Sequence, residues 1–192
     1  MPKLVLASTS KYRRALLDRL GLPYSALAPK VDEEAVSGHL SPEEIALQLA
    51  HDKAASVADA APDAFIIGSD QLVDLDGERL GKPGTIERAE AQLQRLSGRS
   101  HRLITAVALR HPDGTVETAV DLHAMQLRAL TPHEIRRYVQ RERPLDCAGS
   151  YKIESLGISL VEKISGEDFT AIVGLPLIAL CRLLRGAGFE VP

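Results

Sequence analysis

The sequence predicts a mixed α/β fold, a partly antiparallel sheet with flanking helices. Three observations point there. Short apolar runs alternate with capped helices along the chain, and two Asp-Gly turn signals, Asp76-Gly77 and Asp113-Gly114, fold it back into hairpins. No repeat, low-complexity tract or long linker divides it, so strands and helices are expected to share one domain over residues 1–192. At 45% hydrophobic, 192 residues can bury one good core or two small lobes.

The elements follow in order. Leu4-Val-Leu-Ala7 reads as a buried strand, and Ser10 caps a helix over 11–20 that Gly21 and Pro23 stop. Residues 24–28 form a second strand before Pro29. The acidic loop Val31-Asp-Glu-Glu34 runs toward Gly38. Ser41-Pro-Glu-Glu44 is a capping box opening a helix to about residue 60. Thr85 caps a helix over 86–96 that Gly98 ends. Residues 101–110 and 115–127 read as long hairpin strands, whose exposed edges suit a homodimer. Thr131-Pro-His-Glu134 opens a helix that must end before Pro144. Gly157-Ile-Ser-Leu-Val161 is strand-like, and Pro176 opens an apolar helix through residue 184.

The most informative stretch runs from Phe65 to Pro83. An apolar run breaks at Gly68-Ser69-Asp70-Gln71, as expected of a buried strand that delivers a carboxylate and an amide to its open end. The hairpin at Asp76-Gly77 then carries Lys82 back toward Asp70. Two readings stand at this point: an ion pair at a strand end, or an acid that holds a metal or water beside a lysine that neutralises phosphate. At the first helix, Ser8 and Ser10 with Lys11, Arg13 and Arg14 surround free N–H groups. This fits an anion site or an ordinary surface helix with extended arginines. Lys53, alone on its helix, reads from its local context as solvent-facing. Glu154 is expected at the mouth of a cleft.

Composition narrows the function classes. A net charge of -3 gives no general attraction to nucleic acid or membrane, so phosphate recognition must come from a few placed cations. With no Trp and 4% aromatic residues, a stacking platform for single strands is not expected. Cys147 and Cys181 have neither disulfide-framework nor zinc spacing, and no apolar run is long enough for a leader or span, which fits a reducing cytoplasm. No glycine-rich dinucleotide turn or P-loop occurs, and none of the six histidines has metal-ligand spacing.

Eight blocks occur in one order: Leu6-Ala-Ser-Thr-Ser-Lys-Tyr-Arg-Arg-Ala-Leu-Leu17, Val31-Asp-Glu33, Lys53-Ala54, Ile67-Gly-Ser-Asp-Gln71, Leu80-Gly-Lys-Pro83, Leu96-Ser-Gly98, Cys147-Ala-Gly-Ser-Tyr-Lys152 and Val173-Gly-Leu-Pro-Leu177. Together they resemble the Maf family of nucleotide pyrophosphatases nearly end to end. The resemblance implies a mixed sheet akin to the inosine-triphosphate pyrophosphatases, with a deep cleft between two lobes. It implies hydrolysis of a nucleoside triphosphate to monophosphate and pyrophosphate, with Mg²⁺ or Mn²⁺. By position, Asp70 would be the general base and Glu33 with Asp70 the metal ligands. Ser8, Ser10, Arg13, Lys53 and Lys82 would hold the phosphates. The residues Tyr12, Gln71 and Glu154 resemble the family's 7-methyl-GTP branch rather than its dTTP/UTP branch. A glutamate can accept two N–H groups of a guanine edge, and a methylated, cationic base favours a carboxylate and an aromatic face. Tyr12 could instead simply close the start of its helix. A non-catalytic nucleotide-binding regulator of septum formation is the rival of a different class; the intact Asp70, Glu33 and Lys82 set argues against it.

Overall fold

The computed structural model describes residues 2–33, 35–36 and 40–191; Glu34 and Gly38 of the acidic loop lie outside the described residues. The strands are β1 (Lys3–Ala7), β2 (Ser25–Leu27), β3 (Ala64–Leu75), β4 (Glu78–Leu80), β5 (Ser100–Arg110), β6 (Val116–Leu127) and β7 (Val161–Ser165). The helices are α1 (Lys11–Leu17), α2 (Pro42–Ala55), α3 (Ile86–Leu96), α4 (Pro132–Glu142), α5 (Phe169–Val173) and α6 (Leu177–Gly186). The sheet is mixed, in the order β2-β1-β3-β5-β6-β7 with β4 on β3. β1 runs parallel to β2 and β3, whereas β3–β4 and β6–β7 are antiparallel.

The chain divides into two compact units: residues 1–71, 105–121 and 168–192, and residues 72–104 and 122–167. In the first, β1 and β3 are buried on both faces, as strands joined by helical crossovers must be. Leu4, Leu6 and Ile67 join one cluster with Leu175, Leu180 and Leu184 from the α6 side. Their neighbours Val5, Ala7, Ala64 and Ile66 join another with Ala54 and Val57 at the end of α2. This two-residue alternation fixes which side chain each helix meets.

In the second unit, α3 and α4 pack together through the faces bearing Ala89, Leu93 and Leu96, and Ile135, Tyr138 and Val139. Thr131 and Glu134 close the capping box of α4, and Arg143 ends it in a left-handed conformation (φ 47°) directly before Pro144. At the β3–β4 turn Asp76 and Gly77 both have positive φ (54° and 87°), as a primed two-residue turn requires.

Two elements differ from expectation. The run from Phe65 does not stop at Gly68: β3 is one strand of 12 residues, and Asp70 lies within it, three residues past Ile67, the last residue paired with β1. Ser69, Asp70 and Gln71 all find side-chain partners, so polar residues continue the strand instead of ending it. Residues 156–160 form a 3-10 turn rather than a strand, with β7 following at Val161. Gly157 explains the turn, because a Cβ there would collide with the backbone of Lys152.

Candidate active site

Gly68 organises the first unit's site. A Cβ at this position would collide with the Ala50 carbonyl oxygen and come within 2.9 Å of the Ala54 nitrogen, so only glycine lets the α2 backbone lie this close to β3. Asp70, two residues on, points to the same side. Lys53, one turn past Ala50, therefore meets it: Nζ donates to Asp70 Oδ1 at 2.6 Å and pairs with Glu33 Oε1 at 2.7 Å. Lys53 and Asp70 are 5% and 4% exposed, which makes this a buried ion pair and not a surface one. Asp70 Oδ2 is also buried and has no hydrogen-bond partner among the described residues. A buried carboxylate oxygen left unsatisfied costs free energy, and in native proteins such atoms are rare.

The solvent-facing reading of Lys53 is thereby corrected. The sequence did hold a signal: Ala46, Leu49, Ala50, Lys53 and Ala54 are the buried residues of α2, spaced at three and four, so the lysine falls on the helix's own apolar stripe.

The opposite side of β3 carries Ser69 and Gln71. Ser69 Oγ donates to the Gly174 carbonyl at 3.1 Å. Gln71 Nε2 lies within reach of Thr105 Oγ1 (3.0 Å), the Ala171 carbonyl (2.8 Å) and the Ile172 carbonyl (2.9 Å), which fixes its amide with nitrogen toward α5. The Gln71 N–H groups are thus engaged by the fold, and its oxygen is the atom left for a ligand.

At the start of α1, Ser8 Oγ accepts from the Ser10 N–H at 3.1 Å, and Ser10 Oγ accepts from the Arg13 N–H at 3.4 Å. No acid stands in the first turn of this helix to offset its positive end. Lys11 Nζ lies 5.0 Å from the centre of the half-buried Tyr12 ring. Arg13 Nε donates to the Gly174 carbonyl at 2.9 Å. Burial pushes the Arg13 pKa down, while the negative charges of Asp70 and Glu33 work in the other direction. The guanidinium therefore lies in a weakly screening environment within range of both acids.

Lys82 and Glu154, both exposed, belong to the second unit. The loop carrying Lys82 is held by Gln92, whose Nε2 donates to the Gly81 carbonyl at 3.0 Å, and by Gly84 N–H to Leu145 O at 3.1 Å. Gln92 Oε1 also accepts from Ser150 Oγ, tying this loop to the segment that leads to Glu154. Lys152 N–H donates to the Tyr138 hydroxyl at 3.0 Å. Burial pushes the Cys147 thiol up to about 12, which rules it out as a neutral-pH nucleophile.

Among the described residues no group of three His, Cys, Asp or Glu side chains could cage a metal ion. The unsatisfied oxygen of Asp70 with Glu33 nearby still fits a hard cation of the Mg²⁺ type, which takes one or two carboxylates and completes its shell with water and substrate phosphates. Charge balance agrees. Arg13 and Lys53 are already matched by Glu33 and Asp70, so an arriving polyphosphate needs further positive charge.

Residues 3–187 match the family model described as "Maf-like protein". The chain is 58% identical over 192 residues, the full length of both, to the 7-methyl-GTP pyrophosphatase of Xanthomonas axonopodis pv. citri (strain 306). It is 50% identical over 191 residues to the 7-methyl-GTP pyrophosphatase of Aromatoleum aromaticum (strain DSM 19018 / LMG 30748 / EbN1), covering 99% of this chain and 98% of that one. Among solved structures, the Staphylococcus aureus Ham1 protein aligns with a TM-score of 0.47 and 18% identity over 65% of this chain and 71% of that one. The chain belongs to the Maf family. Among the described residues, no helix is long and apolar enough to cross a membrane.

Proposed function

We propose that this Maf-family chain is a nucleoside triphosphate pyrophosphatase that hydrolyses 7-methyl-GTP to 7-methyl-GMP and pyrophosphate. The observation that carries the chemistry is the buried Asp70 carboxylate, with one oxygen on Lys53 and the other without a hydrogen-bond partner among the described residues. The substrate rests on full-length identity of 50–58% to enzymes named for it.

Asp70 Oδ2 accepts a proton from the attacking water as that water's oxygen bonds to the α-phosphorus. The bond from that phosphorus to the bridging oxygen breaks, and the electron pair leaves with pyrophosphate. Lys53 holds the Asp70 carboxylate in place through Oδ1. A divalent cation held by Glu33 and Asp70 would lower the water's pKa and offset phosphate charge. Ser8, Ser10, Arg13, Lys53 and Lys82 bind and neutralise the phosphates, and donors of this kind act in proportion to how well they are pre-positioned. Tyr12, Gln71 and Glu154 are assigned to the base, with Glu154 accepting from the guanine edge and Tyr12 against the ring.

Pyrophosphate release from 7-methyl-GTP, GTP, UTP and dTTP with Mg²⁺, for wild type and Asp70→Asn, tests this reading. Preference for 7-methyl-GTP, lost in the variant, is the expected result. Preference for UTP or dTTP would keep the mechanism and overturn the base assignment. Binding of nucleotide without any turnover would replace the enzyme by a nucleotide-binding regulator.

A further inference from the structure

Asp168 has no role among the residues assigned above and is 4% exposed. Its two oxygens serve two helices. Oδ1 accepts from the Thr170 N–H at 2.9 Å and from the Thr170 hydroxyl, capping α5. Oδ2 accepts from the Ile178 N–H at 2.8 Å, in the first turn of α6. Thr170 Oγ1 in turn accepts from the Leu177 N–H at 2.9 Å. The residue at the N-cap of α6 is Pro176, which provides no side-chain cap, so Asp168 and Thr170 perform that task from outside the helix. A carboxylate at two helix starts is also favoured by both dipoles.

The consequence lies between the two helices. The link of Gly174, Leu175 and Pro176 is pinned at both ends, with Gly174 at φ 122°, a conformation that favours glycine. Its N–H donates to the Thr170 and Ala171 carbonyls at 3.2 and 3.0 Å, which fixes the peptide that carries its carbonyl. That carbonyl accepts both Arg13 Nε and Ser69 Oγ, the latter from the residue beside Asp70. With Nε so engaged, the Arg13 terminal nitrogens, which have no hydrogen-bond partner among the described residues, are left for an anion.

We propose that Asp168, acting with Thr170, is a positioning residue: by capping α5 and α6 together it sets the Gly174 carbonyl, which orients the Arg13 guanidinium toward the polyphosphate. This rests on the proposed phosphate role of Arg13 and extends it to residues that never touch the substrate.

A double-mutant cycle tests it. Thr170→Val removes the bridging hydroxyl at nearly constant shape, Thr170→Ser restores it, and Asp168→Asn removes the charge. Each is made alone and with Arg13→Ala. Thr170→Val and Asp168→Asn should each lower kcat/KM for the triphosphate roughly tenfold, with Thr170→Ser close to wild type. In the Arg13→Ala background the same changes should add almost nothing, because the group they orient is gone. Thermal unfolding of every variant separates this from loss of fold. If the losses multiply in full in that background, or if Thr170→Val matches wild type in kcat/KM, the proposal is overturned. The cycle is repeated with affinity for inorganic triphosphate as the readout. Coupling there without turnover sinks the pyrophosphatase reading alone, whereas turnover without coupling sinks the positioning role alone. Wild type that binds no triphosphate overturns both.

Discussion

The two faces of β3 carry polar residues in alternation, yet they solve opposite problems. On the α5 side, Ser69 and Gln71 place their donors on the carbonyls of Gly174, Ala171 and Ile172. On the α2 side, Asp70 satisfies one oxygen with Lys53 and leaves the other buried, with no hydrogen-bond partner among the described residues. A satisfied network rigidifies; an unsatisfied buried acceptor is costly unless something arrives to use it. Neighbouring residues on one strand thus differ in how fully their polar atoms are satisfied, according to the face on which they fall.

Four substitutions would break or sharpen this contrast. Lys53→Met removes the ammonium that Asp70 and Glu33 share; stability should fall by about 3–5 kcal/mol in urea unfolding at neutral pH. An unchanged midpoint would mean the α2 face is not locked by charge. Asp70→Asn keeps the side-chain shape, with Lys53 still paired to Glu33, but removes the proposed proton acceptor, so turnover should drop roughly 10²–10³-fold. Full activity in this variant would move the chemistry off the strand. For Gly68→Ala, the new methyl meets the backbone of Ala50 and Ala54, and a loss of about 1–3 kcal/mol is expected together with reduced turnover, since Lys53 moves with α2. Stability equal to wild type would show that α2 does not lie on Gly68. The smallest effect belongs to the satisfied face. Gln71→Leu leaves the Ile172 carbonyl without its amide donor while Ala171 keeps the Thr105 hydroxyl, so a loss of about 1 kcal/mol is expected in the same unfolding assay. If this change leaves base preference as it was, the assignment of Gln71 to the base falls.

Local signals were legible in proportion to how local their physics is. The capping boxes at Ser41 and Thr131, the caps at Ser10 and Thr85 and the turn at Asp76-Gly77 all form where the sequence places them, because each is decided by three or four neighbouring residues. The strand-like segment at 157–161 failed for a non-neighbour reason, the approach of the Lys152 backbone to Gly157. The apparent end of a strand at Gly68 failed similarly: side chains on two faces find partners that no local window contains.

From the sequence by itself came the mixed α/β class, most helix boundaries, the residues Asp70, Arg13 and Lys82 as candidates, and the ordered blocks that mark the family. The tertiary structure alone decided that Lys53 is buried on Asp70, that Gln71 faces the α5 backbone, and that Asp168 caps two helices. Caps and turns follow from hydrogen bonds within a few residues. The pairing of residue 53 with residue 70, or of 71 with 171, depends on a missing Cβ and on the two-residue alternation of a packed strand, which acts only once helix and sheet have met.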